Sequence, residues 1–187
     1  MKFALVVLSA LGLFGSLLAH ADRDRGPYLG FGGLLLDVDA IDISANKVEF
    51  KVAELIGGYK LSNWAGIELR AGGAVTDEVI LLSDALDAET ATVNIAFYYA
   101  GYYRVEINNE VAKAYALLGG VEMNVDFYLT DDKDNTFDVR SSSGFSYGAG
   151  VGFILGKKMY LNFEWRSLID SPNNLFTSIG ANIDYRF

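Results

Sequence analysis

Apolar and polar side chains alternate along the last twelve residues, FTSIGANIDYRF. Thr177, Ile179, Ala181, Ile183, Tyr185 and Phe187 form one set; Ser178, Gly180, Asn182, Asp184 and Arg186 form the other. A strand sends successive side chains to opposite faces, so this segment predicts a strand with one apolar and one charged face. The same period predicts seven more strands, over residues 27–36, 47–60, 64–75, 92–104, 113–129, 144–155 and 159–168. In the second the alternation slips: Val48, Phe50 and Val52 share a face, then Ala53, Leu55, Gly57 and Tyr59 take over. An extra residue in a bulge near 52–54 is the expected cause. In the fourth, Val93, Ile95, Phe97, Tyr99 and Tyr103 oppose Asn94, Tyr98, Tyr102 and Arg104. In the fifth, Leu117, Val121, Met123, Val125 and Phe127 oppose Glu122, Asn124 and Asp126.

These lengths lie near the ~9–11 residues that a tilted strand needs to cross a bilayer. Connections at 61–63, 105–112 and 156–158 are turn-like, while those at 37–46, 76–91, 130–143 and 169–175 are longer. Short turns at one rim and long loops at the other characterise transmembrane barrels. The apolar face is banded by aromatics: Tyr59, Tyr103, Tyr185 and Phe187 near the short turns, and Phe127, Phe145, Tyr147 and Trp165 toward the loops. Such rings belong at the two interfaces of a membrane. The alternative on the pattern alone is a soluble barrel or sandwich with ordinary core aromatics.

Residues 1–21 are set apart. Lys2, the apolar run 3–18 and Ala19-His20-Ala21 together predict a cleaved secretory signal, with 22–187 as one barrel domain. Setting Lys2 aside leaves 14 of the 15 basic residues against 24 acidic ones, which disfavours nucleic acid as a partner. The absence of cysteine excludes disulfides and thiol chemistry.

Four short runs carry a resemblance: Tyr28-Leu29-Gly30-Phe31-Gly32, Gly57-Gly58-Tyr59-Lys60, Gly66-Ile67-Glu68-Leu69-Arg70 and the closing Tyr185-Arg186-Phe187. With them the mature chain resembles the OmpA/OmpX-type outer-membrane β-barrels. The resemblance implies an all-β, eight-stranded antiparallel up-and-down transmembrane barrel in the Gram-negative outer membrane. It also implies a monomer surrounded by membrane lipid and lipopolysaccharide, and recognition by the barrel-assembly machinery through Phe187. No cell-wall-binding domain follows Phe187 in this sequence, so tethering to the cell wall is not expected.

The polar face then lines the lumen. Glu68, Glu122, Asp126, Glu164 and Asp184 are expected there with Arg70, Arg104, Arg166 and Arg186, and Gly148, Gly150 and Gly152 leave space beside them. An eight-stranded interior is only wide enough for side chains to fill, so these charges should pair and plug it. Catalysis is not expected. The one histidine, His20, lies in the signal, and a serine without a base is a poor nucleophile. The long loops are acidic, and Asp131, Asp132 and Asp134 form a weak calcium-type cluster lacking the glycine and distal glutamate of a known calcium loop. The expectation is a structural, adhesion or surface-interaction barrel without a cofactor, whose loops meet an extracellular ligand. A narrow solute pore is the first alternative and a lipid-modifying enzyme the second.

Overall fold

The computed structural model describes residues 25–40, 48–76, 78–81, 90–129, 136–171 and 174–187. They form nine strands: β1 (Gly26–Ala40), β2 (Val48–Lys60), β3 (Ala65–Ala74), β4 (Glu78–Leu81), β5 (Thr90–Asn108), β6 (Ala112–Leu129), β7 (Thr136–Ile154), β8 (Met159–Ser171) and β9 (Asn174–Arg186). Pairing is antiparallel throughout, in the order β3-β2-β1-β9-β8-β7-β6-β5-β4, and a β3–β5 ladder closes the ring. The short β4 pairs with the start of β5 and follows β3 after a break at Val75–Thr76, so the two serve as one stave. The result is a closed eight-stranded up-and-down barrel.

Three turns at one rim are tight. The backbone N–H groups of Leu61 and Ser62 donate to Ala65 O, and that of Leu155 donates to Met159 O. In the third turn the Asn109 side-chain oxygen accepts from the N–H groups of Val111 and Ala112, a local turn bond to which asparagine is suited. At the other rim the strands run further than their patterns predict. The expected loops over 37–46, 76–91, 130–143 and 169–175 yield Asp37 and Asp39 to β1, Glu78 to β4, Asp138 to β7 and Asp170 to β8. Asp42, Asp77, Asp84, Asp87, Glu89, Asp131, Asp132, Asp134 and the expected signal 1–21 lie outside the described residues.

The bulge expected in β2 is absent. The β1–β2 register runs unbroken from Val38↔Val48 to Gly26↔Lys60. Phe50, Val52, Glu54, Ile56, Gly58 and Lys60 all point inward, while Glu49, Lys51, Ala53, Leu55, Gly57 and Tyr59 point outward. The phase is constant and the chemistry of the two faces exchanges part-way along. Toward the turns the outside is apolar and the inside polar; toward the loops the reverse holds. The β6 strand does the same. Lys113, Tyr115, Leu117, Val121 and Met123 are buried inside, whereas Leu118, Gly120, Glu122, Asn124 and Asp126 face out. This corrects two expected lumen residues, Glu122 and Asp126, which stand on the outer wall. Leu117, Val121 and Met123, expected against lipid, fill the interior. The physical reason is the medium: a strand leaving the hydrocarbon meets water outside and must bury its apolar set inside.

Bulges occur elsewhere. Between Ile95 and Phe97 the β5–β6 register shifts, and Ile95 lies buried inside where a uniform phase would have placed it outward. Between Ser167 and Ile169 in β8 a second shift lets both Leu168 and Ile169 enter the interior. Extra residues of this kind reset the in–out phase.

The outward apolar residues form a belt. Examples are Leu29, Phe31 and Leu35 on β1, Ile67 and Leu69 on β3, Phe163 and Trp165 on β8, and Ile179 and Tyr185 on β9, all exposed. Along β7 they reach from Phe145 to Phe153 and along β5 from Phe97 to Ile107, roughly 26–33 Å of strand, which at a tilt of about 40° gives roughly 20–25 Å, the height of a hydrocarbon-facing band.

Candidate functional site: the filled lumen

Alternation alone brings the inward charges together, because every second residue of the turn-proximal halves faces the axis. Six cations (Lys60, Arg70, Arg104, Lys113, Arg166, Arg186) and five carboxylates (Glu54, Glu68, Glu106, Glu164, Asp184) are buried there. They form one connected network. Arg70 is its hub: Nε donates to Glu68 Oε1 at 2.6 Å, Nη1 to Glu54 at 2.9 Å, and Nη1 and Nη2 together grip Glu164, the Nη2 bond being 2.9 Å. This two-pronged grip uses the planar fork that arginine offers and lysine lacks.

From the hub the network runs both ways. Arg166 bonds Glu54 at 2.8 Å and lies 2.9 Å from Glu164. Arg104 bonds Glu68 at 2.7 Å and lies 3.2 Å from Glu106. Glu106 accepts from Lys60 at 2.5 Å and from Arg186 at 3.1 Å, and Asp184 accepts from Lys113 at 2.7 Å. Hydroxyls complete the carboxylate shells: Tyr28 donates to Glu68 at 2.6 Å, Tyr115 to Glu164 at 2.9 Å, and Tyr98 to Glu54. Aromatic faces cover the cations. The Arg104 guanidinium lies 3.8 Å from the Tyr115 ring centroid, and Lys113 and Arg186 flank Tyr160 at 4.1 and 4.3 Å. Such contacts strengthen once water is excluded.

Glycine makes the room. A Cβ on Gly148 would stand 2.6 Å from Arg166 Cγ, and one on Gly150 would stand 2.4 Å from the Tyr115 ring. Toward the loops the charges stop, and Leu34, Leu36, Phe50, Val52, Ile95, Leu117, Met123, Leu168, Ile169 and Phe176 form a packed apolar core. Tyr102 and Ser146 mark the border, joined hydroxyl to hydroxyl at 2.8 Å.

The structure therefore brings together seven of the nine lumen residues singled out from the pattern: Glu68, Arg70, Arg104, Glu164, Arg166, Asp184 and Arg186. Glu122 instead accepts from Tyr99 on the outer wall, with Ser141 nearby at 3.4 Å, and Asp126 shares that wall. Four members were missed. Glu54 lay within the assumed bulge, Glu106 was hidden by a turn begun four residues early, and Lys60 and Lys113 by their places at strand ends. Counting every second residue onward from Arg104 would have found Glu106, whereas Lys113 has the phase of Leu117 and Val121, the set expected outside. Tyr59, Tyr103, Phe145, Tyr147, Trp165 and Tyr185 face outward, and Phe187 packs on Tyr185 at 5.2 Å between centroids. Phe127 pairs in register with Val93, but its side chain lies outside the described residues.

Among the described residues no group of three or more acidic or histidine side chains is placed to hold a metal ion. What the arrangement does chemically is pair charge against charge in the turn-proximal half of the interior.

Solved structures share this architecture. Ail, the attachment invasion locus protein of Yersinia pestis, superposes with a TM-score of 0.62 at 16% identity, over 88% of this chain and 99% of its own. That structure holds the heparin analogue sucrose octasulfate. Neisserial surface protein A superposes with a TM-score of 0.62 at 10% identity, over 86% and 97%. OprG of Pseudomonas aeruginosa gives 0.59 at 13% identity, over 88% and 98%. At such identities the likeness concerns the fold. No curated protein sequence matches the chain. The family model for the outer membrane protein beta-barrel domain matches residues 6–187, nearly the whole length, and the chain belongs to that family.

Proposed function

We propose that this member of an outer-membrane family is a non-conducting, non-catalytic structural barrel of the Gram-negative outer membrane, exported by residues 1–21, that displays its loops to a surface partner. One observation supports this reading: among the described residues the ion-pair network lies in the turn-proximal half of the interior and the apolar core in the loop-proximal half. Ions avoid an apolar constriction, and paired charges in the other half leave no free hydrated path. A polyanionic ligand such as the one held by Ail would meet a chain of formal charge −9, so a cationic or neutral partner fits better.

Planar-bilayer recording tests the closed lumen. The wild type should give no steady conductance. Arg166→Ala should lower stability yet still not conduct, because the apolar core seals the other half. Steady ohmic channels in the wild type would refute the reading and establish the narrow pore instead.

A further inference from the structure

Among the described residues the interior network holds six cations and five carboxylates. Pairing them off locates the odd one. Arg70 grips Glu164, Arg166 bonds Glu54, Arg104 bonds Glu68, Lys60 bonds Glu106 and Lys113 bonds Asp184. Arg186 is left over. Its Nη2 reaches the two oxygens of Glu106 at 3.1 and 3.2 Å, where Lys60 already stands, and its Nε lies 3.8 Å from Asp184 Oδ1. Arg104 Nε lies 3.2 Å from that same Glu106 Oε2. Two guanidiniums therefore stand side by side on one carboxylate, at a depth where salt screens their repulsion little. Both also have donors to spare. Arg104 Nε and Nη2 and Arg186 Nε are buried and make no hydrogen bond among the described residues. Arg104 is 3% exposed and Arg186 8%, and the Arg186 backbone N–H donates to Lys158 O, which fixes this pair of arginines at the turn-side end of the lumen.

We propose that Arg104 and Arg186 together bind one small monovalent anion of the chloride type, the counter-charge of the sixth cation. The excess of one positive charge sets the valence. The barrel sets the size. An eight-stranded interior is only wide enough for side chains to fill, and here Tyr115 already covers the Arg104 guanidinium at 3.8 Å and Tyr160 that of Arg186 at 4.3 Å. With their flat faces covered, the guanidiniums offer only their N–H edges, where the spare donors lie. A monatomic ion can accept from those edges, whereas a phosphate or a sugar acid is too large to enter between them. The exposed fringe of Arg186 opens the site to water at the turn rim. The ion is a resident counter-charge, and its site requires neither an open nor a closed lumen.

Urea unfolding of the barrel in micelles tests this, with sodium chloride exchanged for sodium gluconate at constant ionic strength, since gluconate is too large for the site. One ion bound only by the folded state raises the folding equilibrium constant about tenfold for each tenfold rise in chloride above its Kd. The wild type should show that unit slope. Arg186→Gln removes the surplus charge and should flatten the slope to zero. Glu106→Gln raises the surplus and should keep the unit slope but begin it at lower chloride. Lys157→Gln, on the exposed turn at 156–158, should leave the wild-type slope unchanged. Heat-modifiable gel migration checks that each variant folds. Bromide-soaked crystals of the wild type give a readout independent of any variant: one anomalous peak within hydrogen-bond reach of both Arg104 and Arg186. A wild type indifferent to chloride, an unchanged slope in folded Arg186→Gln, or bromide at surface lysines as an adventitious ion only would each overturn the assignment. None of these readouts depends on whether the lumen conducts.

Discussion

Replacing Arg70 with methionine removes the hub of the interior network while keeping an unbranched chain of similar reach. The guanidinium holds Glu54, Glu68 and Glu164 together. Its loss leaves none of them bare. Glu54 keeps Arg166 and Tyr98, Glu68 keeps Arg104 at 2.7 Å and Tyr28, and Glu164 keeps Arg166 and Tyr115. Around the vacated hub three carboxylates then share Arg104 and Arg166, a local excess of one negative charge, although the interior as a whole then holds five cations and five carboxylates. Removing one partner of a buried pair costs about 3–5 kcal/mol, and the surviving contacts put this variant toward the lower figure rather than at three times it. Adding Glu164→Gln restores the balance, so the double variant should recover part of the loss, with a coupling of about 0.5–3 kcal/mol. Urea unfolding of the barrel in lipid or detergent, followed by tryptophan fluorescence and gel migration, reads all three proteins. The lipid-facing neighbour Leu69→Ile is the control and should cost less than about 1.5 kcal/mol. An Arg70→Met barrel as stable as the wild type, or a double variant that is merely additive, would show that the network contributes nothing to holding the fold.

Two further outcomes follow from the same geometry. Gly148→Val should destabilise or prevent assembly, since its Cβ would meet both Arg166 Cγ and Trp165 O at 2.6 Å, whereas Ala149→Val on the lipid side should fold normally; equal yields of folded barrel would contradict the glycine argument. Because the chain has no native cysteine, Glu122→Cys and Leu118→Cys give clean probes of the membrane boundary. A charged maleimide added to intact cells should label position 122 and not 118, and labelling of both would place the belt lower than the exchange in β6 implies.

The period of two carried most of the fold. The strands of the eight staves, the tight turns and the inward placing of Glu164, Arg166, Asp184 and Arg186 follow from alternation and turn residues, both local properties of the chain. Tertiary structure decided which face is inside where the chemistry changes sides. In β2 and β6 the alternation is equally strong above and below the membrane boundary, so the pattern fits a phase slip and a change of medium equally well. Only the unbroken β1–β2 register distinguishes them, and it moves Phe50 and Val52 into the interior. The same exchange of medium carries Glu122 and Asp126 to the outer wall. The bulge at Ile95 is likewise invisible locally, because it answers to the ladder with β6. The hub role of Arg70 comes from Glu54 and Glu164, 16 and 94 residues away, brought together by closure of the ring. A strand specifies what lies on each of its faces; only the closed barrel and its surroundings determine what each face meets.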